Sequence, residues 1–156
     1  MIRALKIGVI SDTHGRVRPE ALAALQGADL IVHAGDLGGP DVLSNLEAVA
    51  PVRVVRGNVD TGAWARHLPE TAVVEVKDVR LYVLHDLERL DLDPGAAGFA
   101  AVISGHTHSP RIEERNGVLY LNPGSAGPRR FRLPVSLAWL EIAGGRVRAQ
   151  ILTLEP

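Results

Sequence analysis

The chain has 156 residues, the length of one ordinary domain, and with 46% apolar and 22% charged residues it lies far from the composition of disordered chains. A formal charge of -1 withholds the basic field on which nonspecific nucleic-acid or anionic-membrane binding depends, so nucleic acid is a disfavoured partner, though not an excluded substrate. No cysteine is present, which removes disulfide frameworks, cysteine zinc sites, iron-sulfur clusters and thiol nucleophiles; any metal must be held by N or O donors.

Leu5 to Ile10 is a short apolar run without helical spacing, and it ends in the turn formers Ser11-Asp12-Thr13-His14-Gly15, as a buried strand feeding a loop would. Pro19 then opens a helix expected over about 18 to 26, with Ala21, Leu22 and Leu25 at helical spacing and Gly27 as the stop. Leu30 to Ala34 repeats the strand pattern and turns at Gly35-Asp36-Leu37-Gly38-Gly39. Val42, Leu43, Leu46 and Val49 mark a second helical face, with Asp41 read as its N-cap after Pro40. Val52 to Val55 is a third strand, closed by Arg56-Gly57-Asn58. This strand-helix alternation predicts parallel neighbours, with polar residues clustered past the carboxyl ends of the strands, where open α/β sheets bind ligands.

From about residue 72 the pattern becomes β-rich: Val73 to Lys77 with Arg80 to Leu84, Arg111 to Glu114 with Val118 to Leu121, and Ser136 to Ile142 with Arg146 to Leu154. Asn116-Gly117 and Gly144-Gly145 are hairpin turns, and Asp91 to Gly98 is a loop rich in Asp, Pro, Gly and Ala. No apolar stretch is long enough to span a membrane and no signal-peptide core opens the chain, so a single cytoplasmic domain over 1-156 is expected.

Five strand ends deliver N or O donors: Asp12-x-His14, Gly35-Asp36, Gly57-Asn58, His85 after Leu84, and Gly105-His106-Thr107-His108. Seven such side chains exceed one tetrahedral zinc and suit two metal ions sharing a carboxylate. Residues two apart point the same way in extended chain, so Asp-x-His and His-x-His can each serve one centre. The neighbouring glycines permit the tight or left-handed backbone that convergence needs.

In that order these motifs resemble the signature of the calcineurin-like metallophosphoesterases. Gly57-Asn58-x-Asp60, Leu68-Pro69, and Asn122-Pro123-Gly124-Ser125 with Pro128-Arg129 are similar to its small single-domain branch, which includes prokaryotic phosphodiesterases and a eukaryotic retromer subunit; the resemblance runs from residue 7 to about 152. It implies a mixed α/β fold: two mixed β-sheets packed as a sandwich and flanked by helices. It further implies that Asp12, His14, Asp36 and His108 bind one divalent ion while Asp36, Asn58, His85 and His106 bind a second, with Asp36 bridging. A hydroxide held between ions about 3.5 to 4 Å apart would attack phosphorus in line, with Asp36 and Asn58 as the catalytic side chains. Manganese is the expected cofactor; Fe, Co, Ni or Zn suit the same donors.

Two positions depart from the family's pattern. Where the larger phosphatases place a His after the motif Asn, this chain has Val59, which cannot donate a proton; general acid catalysis is worth about 10² to 10⁴ in rate, so activated diesters are the expected substrates rather than alkyl monoesters. The family's His-Gly is His85-Asp86 here, which makes His85 the least secure ligand.

Taken singly each residue has a plainer reading. Asp12, Asp36 and Asn58 are ordinary turn or cap residues, and His106-x-His108 suits a surface strand. His33 and His67 read as structural and stay outside the site. Asp60 either fixes a ligand imidazole or, the favoured reading, caps the helical stretch begun by Ala63-Trp64. Arg129, Arg130 and Arg132 fit a solvated edge at least as well as a phosphate grip, and Trp64, Phe99, Phe131 and Trp139 fit core or interface.

The reading is a phosphodiesterase acting on a small phosphodiester, with a homodimer through Phe131 and Trp139 at even standing with a monomer. Its rivals are a catalytically weak scaffold for protein partners and a phosphomonoesterase or nuclease of the same family.

Overall fold

A computed structural model describes residues 3–130 and 132–154; Phe131, read above as core or interface, lies outside them. Ten strands form two mixed five-stranded sheets among the described residues. The first is built from β1 (Leu5–Ile10), β2 (Leu30–His33), β3 (Val52–Val54), β9 (Ser136–Ala143) and β10 (Arg146–Thr153), in the order β10-β9-β1-β2-β3. Its parallel part, β1, β2 and β3, is joined through helices α1 (Pro19–Ala24) and α2 (Pro40–Glu47), as the alternating pattern requires. The second sheet runs β4-β5-β6-β8-β7, from β4 (Thr71–Val76), β5 (Val79–Leu84), β6 (Ala101–Ile103), β7 (Arg111–Arg115) and β8 (Val118–Asn122).

The two-residue side-chain period sorts each strand between two cores. Ile7 and Val9 of β1, Leu81 and Val83 of β5, Ile103, Leu121, Leu140 and Ile142 meet between the sheets. Ile10 and Ile31 face the other way, against Ala21 and Leu25 of α1 and Val42 and Leu46 of α2. Each fully buried Leu, Ile or Val contributes about 1.5 to 3 kcal/mol, so this double-sided burial is the main source of stability.

The outer face of the second sheet is covered differently. Tyr82, Leu84 and Val102 pack under Phe99, Leu87, Leu90 and Leu92 of the segment after β5, which holds one 3-10 turn, Leu87–Arg89, and no α-helix. Its Asp, Pro and Gly content opposes helix formation, so a loop supplies the fourth layer.

Both hairpin dipeptides turn as expected, with positive φ at Asn116 and Gly117 and at Gly144 and Gly145. The N-cap expected at Asp41 is displaced: Gly39 caps α2, Pro40 takes the first helical position, where its missing N–H costs nothing, and Asp41 sits in the first turn. Trp64 and Phe99 pack into apolar clusters and Trp139 is half-buried on β9. Among the described residues no helix is long and apolar enough to cross a membrane.

Candidate metal centre

The carboxyl ends of β1, β2, β3, β5 and β6 converge, and the loops leaving them continue to pair: Asp12 N donates to Gly35 O at 3.0 Å, His14 N to Asp36 O at 3.1 Å, and Gly105 N to His85 O at 2.9 Å. Two clusters result. Asp12, His14 and His108 form one, Asp36, His85 and His106 the other, the potential ligand atoms within each lying within 4.8 Å of one another. Asn58 joins the second, its Oδ1 3.2 Å from His106 Nδ1. All seven side chains singled out by spacing are therefore brought together.

The backbone route differs from the extended geometry expected of the x-separated pairs. Asp12, His14, Asp36, His106 and His108 all have positive φ, between 51° and 74°, in the left-handed region that costs a non-glycine residue on the order of 1 kcal/mol or more. The donors themselves carry this strain. Gly57 and Gly105 serve instead by close approach, since a Cβ on Gly57 would strike Asp36 and one on Gly105 would strike Ser11 and Asp12.

Hydrogen bonds fix one side of Asp12 and of His85 and leave the other bare. Asp12 Oδ2 accepts from Ser11 Oγ at 2.7 Å and from His106 N at 3.1 Å, while the buried Oδ1 accepts nothing. That oxygen faces His108 Nε2 at 3.3 Å and the Nε2 atoms of His14 and His85 at 3.9 Å. His85 Nδ1 donates to Ala34 O at 2.7 Å, which turns a buried, unpartnered Nε2 toward Asp36 Oδ2, 3.1 Å away but out of hydrogen-bond geometry. Asp36 Oδ1 accepts from Val59 N at 3.0 Å. Asp86 does not displace His85; its Oδ1 accepts from Glu88 N at 3.0 Å and its Oδ2 stands 3.9 Å from His106 Nε2.

The electrostatics follow from this crowding. Burial raises Asp12 above the usual carboxylate range, against the pull of Ser11, His85 and His108. Burial would also raise Asp36, but the adjoining His85 and the Val59 N–H outweigh it and hold Asp36 at about 2. Desolvation alone would lower His85; the neighbouring Asp36 and Asp12 raise it instead. His108 is lowered by burial with Arg130 adding to it, against Asp12. Orphaned oxygen and nitrogen atoms facing one another in a buried cleft, in an imidazole, carboxylate and amide set, fit divalent cations of the Mn to Zn series.

The spacing singles out several supporting residues without their roles. Asp60, 3% exposed, caps no helix and touches no ligand imidazole. Its carboxylate accepts from the N–H groups of Asp36 (3.0 Å), Leu37 (3.3 Å), Gly38 (3.0 Å) and Gly57 (2.9 Å), stitching the Asp36 loop to the Asn58 loop. Ser125 Oγ donates to Asp12 O at 3.0 Å and Asn122 Nδ2 to Gly105 O at 3.0 Å, so Asn122-Pro123-Gly124-Ser125 buttresses two donor loops and is more than a turn. His33 is structural, as expected: Gly35 N–H donates to its Nδ1 and its Nε2 stands 3.0 Å from Thr13 Oγ1, which donates to Leu37 O. Burial lowers His33 to about 3. His67 is exposed and outside both clusters, and Arg129 and Arg132 are likewise exposed.

Residues 5–145 match the calcineurin-like phosphoesterase superfamily domain. The chain is 39% identical over 161 residues to a probable metallophosphoesterase of Methanothermobacter thermautotrophicus, the match taking in 94% of this chain and 91% of that protein. It is 29% identical to the phosphodiesterase YfcE of Escherichia coli, over 88% of each chain. Vps29 of Entamoeba histolytica, solved with Zn²⁺, has the same fold, with a TM-score of 0.75 at 24% identity over 97% of this chain and all of that one.

Proposed function

The chain belongs to the calcineurin-like phosphoesterase superfamily, and on that premise we propose that it is a cytoplasmic phosphodiesterase, one catalytic domain that works with a pair of divalent cations, manganese the first to try. The observation that carries the reading is the pair of unpartnered buried atoms, Asp12 Oδ1 and His85 Nε2, turned toward each other across the cleft where seven donors meet. Asp12, His14 and His108 would hold one cation, Asn58, His85 and His106 the other, and Asp36, with one carboxylate oxygen beside His85, would serve both. Cations bound there supply a water of lowered pKa and neutralise charge on a phosphate in the in-line transition state.

The chain's own residues then divide the remaining work. Ala34 O fixes the His85 tautomer so that Nε2 presents its lone pair. Asn58 directs Oδ1 toward His106, which leaves its amide N–H groups for a phosphate oxygen. Val59, 44% exposed beside these donors, offers no proton to a leaving group. Relatives named phosphodiesterases support the diester over the monoester, and the lack of a proton donor at Val59 favours esters whose leaving group departs without protonation. A complete donor set favours an enzyme over a scaffold.

Chelator-stripped protein assayed on bis(p-nitrophenyl) phosphate and p-nitrophenyl phosphate, with Mn²⁺ titrated back, tests this. Metal-restored turnover that favours the diester is expected. No turnover with Mn²⁺, Co²⁺ or Zn²⁺ would refute the enzyme and return the scaffold, to be sought through protein partners.

A further inference from the structure

We propose that the recess beside Asn58 and His106 is a subsite for the longer arm of an unsymmetrical diester, and that this arm is a sugar carrying a second phosphate gripped by Arg66 and Arg89. The inference rests on the phosphodiesterase reading and narrows its substrate class.

A recess of about 730 Å³ opens from the second cluster and is walled in part by Asn58, His85 and His106. That volume is in the range of pockets that enclose a ligand of nucleotide size. A smaller recess of about 220 Å³ meets the first cluster at Thr13 and His14. Unequal spaces touching the two clusters fit a phosphate at the centre with one long and one short substituent.

The charges around the larger recess are mostly engaged already. Arg56 pairs with Glu70 at 3.0 Å, Asp60 accepts four backbone N–H groups, and Asp86 is held by Glu88 N. Three remain: Arg66, Arg89 and Asp91 all line the recess, and among the described residues none is in an ion pair. Several other arginines also lack a carboxylate partner among the described residues; what sets Arg66 and Arg89 apart is that both line the recess beside the second cluster. Two free guanidinium groups match the roughly two negative charges of a terminal phosphate near pH 7, in the fork geometry that Lys cannot supply. The free carboxylate of Asp91 accepts from sugar hydroxyls.

Position supports the pairing. Arg66 closes the 3-10 turn Ala63–Ala65 that follows Asn58 and Asp60, and Arg89 ends the 3-10 turn Leu87–Arg89 that follows His85. Both cations therefore stand on segments that leave donors of the same cluster and both line the recess that opens from it.

Thymidine 5′-(p-nitrophenyl phosphate) and its 3′-phosphorylated counterpart share one leaving group and differ only in the second phosphate. With Mn²⁺-supplemented wild-type protein at fixed ionic strength, kcat/KM should favour the 3′-phosphorylated ester by about tenfold or more, the scale of one charge-assisted hydrogen bond. Arg66→Gln and Arg89→Gln should each reduce that ratio and the double variant should bring it near one, with thermal melting showing that the variants fold. Equal values in the wild type, or a preference retained by the double variant, would overturn the subsite. Calorimetric binding of thymidine 3′,5′-bisphosphate against thymidine 5′-phosphate decides the same question if no ester is turned over. In that case the enzyme reading fails, while a bisphosphate preference lost in the double variant upholds the subsite and equal affinities refute it.

Discussion

Asp60→Ala should unfasten the centre without removing any donor from it. The carboxylate accepts four N–H groups, three from the Asp36 loop and one from Gly57, in a site 3% exposed. Hydrogen bonds to a charged group contribute about 1.5 to 3 kcal/mol each, and part of that returns when water enters the space left by the side chain. A net loss of about 3 to 5 kcal/mol follows, a large share of a typical domain's stability. Because Asp36 and Asn58 lie on the two loops thus freed, affinity for the shared cation should fall about 10- to 100-fold, the cost of losing a partner that orients ligands. Urea denaturation of the metal-free protein measures the first quantity and Mn²⁺ calorimetry the second. Asp60→Asn, which keeps one accepting oxygen, should recover part of both. Stability within about 1 kcal/mol of wild type together with unchanged Mn²⁺ affinity would refute the stitching role.

Asp36→Asn should abolish metal-dependent turnover while the chain still folds, and substantial residual activity would remove Asp36 from its bridging role. His85 is raised above its ordinary value in the metal-free protein by Asp36 and Asp12, so a cation at its Nε2 competes with a proton and Mn²⁺ affinity should fall as pH drops, by up to about tenfold per unit for the proton displaced; a flat calorimetric profile between pH 8 and 6 would contradict this. His33, lowered to about 3, stays neutral when folded but titrates near 6.5 when unfolded. Its contribution is thus complete above about pH 6.5 and is lost toward pH 3 by about 1.4 kcal/mol per unit. Metal-free His33→Gln should show a shallower decline in urea stability than wild type from pH 6.5 to 4, and parallel curves would disprove it. Val59→His should raise the rate on phenyl esters more than on p-nitrophenyl esters, by at least about tenfold, if a missing proton donor limits poor leaving groups; an unchanged ratio would show that protonation is not limiting.

The donors were legible because each motif is a polar pair attached to the end of an apolar run, and residue chemistry survives any error in element boundaries. Their backbone was not. Asp12 and His14 reach one cluster through two left-handed residues, and no local sequence rule separates that from extended chain, since Asp and His are merely tolerated at positive φ. Asp60 was misread because an Asp ahead of a helical turn carries the signal of a cap, whereas its partners lie 3 to 24 residues away and exist only once β2 and β3 are paired. Asp41 shows the same limit at short range, with Pro40 claiming the first helical position and moving the cap to Gly39. The loop over Tyr82 and Leu84 was visible as a composition, but its role as a layer depended on which sheet face lacked a helix.

Equilibrium binding of Mn²⁺ to chelator-stripped protein, with crystals soaked in Mn²⁺ and measured at its absorption edge, tests the two-cation centre most directly. The account predicts two ions per chain, one among Asp12, His14 and His108 and one among Asn58, His85 and His106, with Asp36 touching both. A single ion, or none at these residues under conditions that support turnover, would contradict it.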